Sequence, residues 1–301
     1  MTNHLKITSF GILAAFGVLT SSAHSEALVG LNGVNGLLSF DSATPNVTVN
    51  AAISGLSVGE RIISIDYRNP DNQIYGLGSL GNLYKLNAIT GAATQVASNV
   101  IPVIAAASTA SYEIDLNTQN NNLRVIGNAA APNSNSAFSF ATGITAVQTP
   151  LTRTGGALDV VGAAYNQNFI GAPAASLNLY FIDAASDALY FNNNAFAGGV
   201  LSKVGDLTLN GNLFGINAAT GFDITASGKA FLSSGANLYS LDLTSGALSV
   251  AGQIGATQGS IIGLTGAANV PLPASFALTL AGLGLVGFSR KFSKRANAQQ
   301  L

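Results

Sequence analysis

The chain has no cysteine, and its two histidines, His4 and His24, both lie at the N-terminal edge. Without thiols there is no disulfide framework, no Cys-ligated zinc and no cysteine nucleophile, and cysteine usage says nothing of the redox compartment. Without imidazole beyond residue 24, a Ser-His-Asp triad lacks the base that takes the hydroxyl proton, and zinc or iron sites lack their usual ligand. Charge is scarce as well: 8% of the 301 residues are charged, against roughly 25% in ordinary soluble domains. Between Leu28 and Val270, seven basic against twelve acidic residues leave a net charge of about −5. A mildly acidic segment with no basic stripe is a poor binder of nucleic acid. What remains is apolar and small. The 48% of apolar residues can build a large core, and abundant Gly, Ala, Ser, Thr and Asn fit an exported β-protein with many tight turns.

The N-terminus reads as a secretory signal peptide over residues 1–23. Met1 to Lys6 is short and weakly basic, Ile7 to Leu19 is mostly apolar, and Ser21-Ser-Ala23 supplies the small residues that signal peptidase reads. Cleavage is expected after Ala23, with Ala27 as the alternative.

The stretch from Ile62 to Val96 sets the pattern of residues 24–268. Four runs of β-forming residues, Ile62 to Tyr67, Gln73 to Leu77, Leu83 to Asn87 and Ala93 to Val96, are separated by Asn-, Gly- and Pro-bearing turns. Such punctuation predicts an antiparallel four-stranded meander. The third run recurs at Leu37, Leu83, Ala137, Leu189 and Leu238, at spacings of 46, 54, 52 and 49 residues. A period near 50 with four strands predicts an all-β, propeller-like domain. The first blade, residues 28–54, lacks its own first run. Ser260 to Thr265 supplies one, so the last strand closes the ring on the first sheet and removes two open edges. The remaining blades span residues 58–100, 107–151, 157–206 and 213–256, giving five. The competing architectures are another blade count, or a β-sandwich or β-solenoid of the same strands.

First runs place an aspartate at or near the end of the innermost strand: Asp66, Asp115 and Asp223, with Val160 to Tyr165 a looser copy. Glu113 and Asp115, at i and i+2, face the same side and form the best local carboxylate pair. A glycosidase needs two such groups roughly 5–10 Å apart. Because Asp recurs at one repeat position, the stronger reading is an Asp that closes a turn on backbone amides. No catalytic, cofactor or metal residue is therefore assigned. Gly76-Leu-Gly78-Ser-Leu-Gly81 spells a dinucleotide fingerprint, but the strand Asn82 to Leu86 follows it where a helix is required. Calcium, a hard ion, is the one cofactor that the oxygen-rich segments Asp66 to Asn72, Asp115 to Asn122 and Asn192 to Asn194 suggest. They lack its usual spacings, and Asn and Asp are common in turns. Tyr67, Tyr84, Tyr190 and Tyr239 would stack on sugars if exposed; their repeat positions point to packing between blades.

Residues 269–301 have three parts. Val270, Pro271, Leu272, Pro273, Ala274 and Ser275 form a short motif, Phe276 to Ser289 is an uncharged run, and Arg290, Lys291, Lys294 and Arg295 form a basic cluster. At fourteen residues the run, expected as a short helix, is below the roughly 20 needed to span a bilayer comfortably. The basic cluster would stay on the cytoplasmic side. This segment resembles the PEP-CTERM class of bacterial sorting tails, in its VPLPA variant. The resemblance implies a membrane-held precursor, recognition by an exosortase-type membrane protease in a Gram-negative bacterium, and association with exopolysaccharide or biofilm matrix at the cell surface. The repeats, with Gly33 to Asp41 and Asn82 to Leu86, are similar to an uncharacterised bacterial domain family found on such tails, which implies no activity. The expected function is a non-enzymatic surface binding or scaffold module, with an extracellular carbohydrate-active enzyme using carboxylates alone as the alternative.

Overall fold

Short apolar runs cut by turns leave the chain no room for long elements, and the computed structural model has 23 strands among the residues it describes. It describes residues 25–101, 112–128, 134–166, 177–192, 198–255 and 259–267, and among these there is no helix. Strands β1 (Ala27–Asn32), β2 (Gly36–Asp41) and β3 (Thr44–Ala52) form the first meander; β4 (Ile62–Arg68), β5 (Gln73–Gly78), β6 (Leu83–Leu86) and β7 (Ala93–Ala97) form the second. The third comprises β8 (Tyr112–Asn117), β9 (Asn122–Gly127), β10 (Asn135–Ser139) and β11 (Thr145–Val147). Next come β12 (Thr149–Arg153) and the fourth meander, β13 (Val160–Tyr165), β14 (Leu179–Asp183), β15 (Ala188–Asn192) and β16 (Gly198–Asp206). After β17 (Thr208–Leu209) and β18 (Asn212–Leu213), the fifth is β19 (Thr220–Ile224), β20 (Ala230–Ser234), β21 (Asn237–Leu241) and β22 (Ala247–Gln253). Several hairpin turns use asparagine in the left-handed region, as at Asn35, Asn72 and Asn121, which this side chain tolerates better than most.

The last strand, β23 (Ile261–Gly266), returns to pair antiparallel with β1, Leu28 against Gly266 and Gly30 against Leu264. It thereby becomes the innermost strand of the first blade. The innermost strands then touch in the cyclic order β23, β4, β8, β13, β19 and back to β23. This is a closed five-bladed propeller, as the repeat pattern predicts.

The inner strands of each sheet are buried on both faces, which is why they read as nearly continuous apolar runs. Alternate residues of β1 serve different interfaces: Leu28 packs with Phe231 and Leu238 of the fifth blade, whereas Val29 and Leu31 pack with Ile62 and Ile65 of the second. Three further apolar layers fill the interfaces between blades two and three, three and four, and four and five.

At the periphery the structure adds what the four-strand unit does not contain. The segment leaving one blade touches the start of the outermost strand of the next. Ala93 donates its amide to Ser54 O (2.8 Å), Thr145 its hydroxyl to Val100 O (2.7 Å) and Gly255 its amide to Pro45 O (3.0 Å). At the other two interfaces this contact lengthens into parallel pairing, β12 with β16 and β17 with β22. The fourth sheet therefore has five strands, and the fifth has six. Gly91 and Gly246 permit two of these close approaches. Both have positive φ, and a Cβ on Gly91 would lie 1.9 Å from Ala52 O.

Candidate functional site

Each innermost strand is an edge of its own sheet, so one row of its backbone amides has no ladder partner. The repeated aspartates meet this need across the blade interfaces. Asp66 Oδ2 accepts the Leu116 amide from β8 at 2.6 Å, and Asp115 Oδ2 accepts the Tyr165 amide from β13. Asp223 Oδ2 accepts the Gly266 amide from β23 at 2.5 Å. At the first blade the same place is held by Thr265, whose Oγ1 accepts the Tyr67 amide at 3.0 Å and donates to Asp66 Oδ1 at 3.1 Å. The fourth blade has Ala164 there, with no acceptor to offer. The next amide in turn, Ile224 N, donates instead to Oδ1 of its neighbour Asp223 at 2.7 Å.

The ring brings Asp66, Asp115 and Asp223 together, with one carboxylate oxygen of each within 4.8 Å of the others. All three residues are 3% exposed or less. Burial raises their pKa values. It pushes Asp66 up to about 6 and Asp223, with the charge of Asp66 added, up to about 7. Asp115 stands well above the usual carboxylate range through burial and then the charges of Asp66 and Asp223. Glu113 lies on the same side of β8 and is also raised well above its usual value by burial. Its Oε2 accepts the Ser64 hydroxyl at 3.2 Å, while Ser64 Oγ accepts the Ile114 amide at 3.1 Å. Three convergent carboxylates are a donor set that suits a hard cation in principle. Here Asp66 and Asp223 each use both oxygens, and Asp115 one, to accept protein hydrogen bonds.

One mouth of the ring holds a small cavity of about 60 Å³ beside Glu26, Tyr67, Asn69, Thr225 and Gly266. That is room for a few water molecules, whereas ligand pockets run to roughly 300–1,000 Å³. Glu26 at this rim accepts from Ser227 Oγ at 2.7 Å and pairs with Lys229 at 3.4 Å.

The aspartates do bind backbone amides, but of the neighbouring blade rather than of a turn, which corrects the reading from sequence. The glycine motif lies on β5 and the turn into β6, and Gly78 leaves space for the Glu60 carboxyl, which accepts from Tyr84 (2.5 Å) and Asn82 (2.9 Å). In the oxygen-rich segment after Asp66, Asp71 Oδ2 is taken by Arg68 (2.9 Å), Lys85 (3.1 Å) and Tyr75 (2.8 Å). In the next, Asn117 Oδ1 caps the turn amides of Gln119 and Asn120. Asn193 and Asn194 lie outside the described residues. Tyr67, Tyr84, Tyr190 and Tyr239 are all buried, so none presents a face for sugar stacking. Residues 1–23, with Ala23, and the tail residues Val270 to Ser275 and Arg290 to Arg295 also lie outside the described residues. Among the described residues no helix is long and apolar enough to cross a membrane.

Residues 36–265 match the model of a family described as a domain of unknown function, DUF4394. The chain belongs to this family. No curated protein matches it. Among solved structures, it is similar to a gluconolactonase from Xanthomonas campestris at 11% identity and a TM-score of 0.43, covering 78% of this chain and 77% of that one. A luciferin-regenerating enzyme matches at 8% identity and 0.41, over 74% of both chains. YCF48 from Cyanidioschyzon merolae matches at 12% identity and 0.38; 65% of this chain aligns, spanning 57% of that protein. Likeness at this level, below a TM-score of 0.5, transfers nothing to this chain.

Proposed function

We propose that this DUF4394 propeller is an exported, non-enzymatic binding or scaffold module of a Gram-negative cell envelope, surface or matrix. In this reading residues 1–23 are removed by signal peptidase, and residues 269–301 hold the precursor at the membrane until an exosortase-type protease acts at Val270 to Ser275. Exopolysaccharide is the expected surface partner. The observation that carries the non-enzymatic reading is the use of the central carboxyls. Four of the five inner strands commit a side chain to the neighbouring strand's amide, so the groups best suited to acid–base work hold the ring together. The sequence order of motif, apolar run and basic cluster supports the sorting step.

Mass spectrometry of the mature C-terminus on surface-located protein tests the processing. Peptides covering Arg290 to Leu301 should be missing, and replacing Pro271 and Pro273 by Ala should make an uncleaved, membrane-held form accumulate. Retention of those peptides on the surface protein would mean a plain anchor and sink the sorting step.

The second reading, a carbohydrate-active enzyme, draws on the raised pKa values of Glu113 and Asp115, a pattern found at acid–base sites. It requires turnover on a polysaccharide panel that disappears in Glu113→Gln or Asp115→Asn. Retention on glycan arrays without product supports the scaffold.

A further inference from the structure

Asp66, Asp115 and Asp223 each bring a carboxylate oxygen within 4.8 Å of the others and are almost wholly buried, and like charges held so close away from water cannot all persist, so at least one of the carboxyls holds a proton. We propose that the inner ring is closed by such retained protons and forms a pH-sensitive lock on the seam where β23 meets β19 and β4. This inference stands apart from the proposed surface role and needs no ligand.

The surroundings of the cluster offer little to replace a proton. From β4 comes Asp66 itself, with Tyr75 opposite it on β5; the Tyr75 hydroxyl donates to Asp71. From β8 come Asp115 and Glu113, the latter facing Ser64. β13 brings Ala164 and Tyr165, β19 brings Asp223, and β23 brings Thr265 without a charge. Arg124 sits opposite Asp115 on β9, yet its guanidinium donates to Tyr165 Oη (3.2 Å) and Asn135 Oδ1 (2.9 Å). Glu26 and Lys229 neutralise each other at the rim. Carboxyls whose pKa is raised on folding contribute stability that is complete below their unfolded value, near 4, and is lost as pH rises through the folded value. For Asp66 and Asp223 this loss runs from about pH 4 to about pH 7. Acid tightens the seam, and the approach to neutral pH loosens it.

Urea unfolding of the purified full chain between pH 4.5 and 8 tests the lock. Each retained proton should lower the folding constant about tenfold per pH unit in the lower part of this range. Asp115→Asn keeps a carbonyl acceptor for the Tyr165 amide without a charge. It should flatten the slope by about one proton, and at pH 8 be at least as stable as the parent. Asp223→Asn should do the same more weakly. A second measurement needs no variant: the infrared band of a buried, protonated carboxyl should be present at pH 7. Parent stability independent of pH between 4.5 and 7 would overturn the proposal, as would absence of that band. So would stabilisation at pH 8 by millimolar calcium that Asp115→Asn abolishes, since a cation would then fill the place of the protons.

Discussion

The propeller is tied together twice, at its axis and at its rim, by different chemistry. At the axis, side chains of one blade accept backbone amides of the next, in buried surroundings and mostly with carboxyls. At the rim the links engage backbone carbonyls, through neighbouring amides or, at Thr145, a hydroxyl, in a setting that is partly exposed at Ala93 and Thr145 and buried at Gly255. A buried bond that is lost leaves an unsatisfied group and costs about 1–3 kcal/mol, whereas water replaces an exposed one cheaply. The axis therefore carries the energetic specificity of closure, and the rim mainly fixes how closely the blades approach.

The largest test of this contrast removes an axial strand altogether. A chain ending at Gly255 lacks β23 and should lose cooperative unfolding, while one ending at Ala268 should retain it; equal melting temperatures for the two would refute closure by β23. Next comes the rim glycine. Gly91→Val places a branched side chain at φ +73° against Ala52 O, and strain plus displacement should cost at least about 2–3 kcal/mol in urea unfolding. That result would show that the rim tolerates loss of a bond better than loss of space. Two isosteric changes then compare the tiers directly. Thr265→Val removes the acceptor for Tyr67 N and the donor to Asp66, for about 1–3 kcal/mol. Thr145→Val removes only the rim bond to Val100 O, for about 0.5–1 kcal/mol. Equal costs would erase the distinction between axis and rim.

Much of the axis is legible in the sequence. A repeat near 50 residues, a missing first run at the start and a spare one at Ser260 together required a ring closed by its last strand. The recurrence of Asp66, Asp115 and Asp223 at one place in the repeat meant that a ring must gather them at its centre. Reading them as turn residues missed this, because propensity is local while their partners are 43 to 50 residues away. Thr265 escaped notice for a chemical reason: a hydroxyl does the carboxylate's accepting work, so the strand carries no acidic signature. The rim strands were illegible in another way. At two residues, β17 is too short for any periodicity to register. The partner of β12 lies across a blade boundary in a parallel sense that no meander pattern encodes.

Closure by β23 also dictates a timetable. Residues 27–52 appear first as the chain emerges, yet their sheet lacks its innermost member until residues 261–266 follow. About 230 residues separate β1 from β23, so the first sheet stays incomplete and the circle open until they have followed, and loop closure over such a length is a slow, late event. A chain built this way cannot close its ring until nearly all of it has passed. Any machine that moves it in extended form, a ribosome exit or a membrane pore, meets no finished globule to unravel.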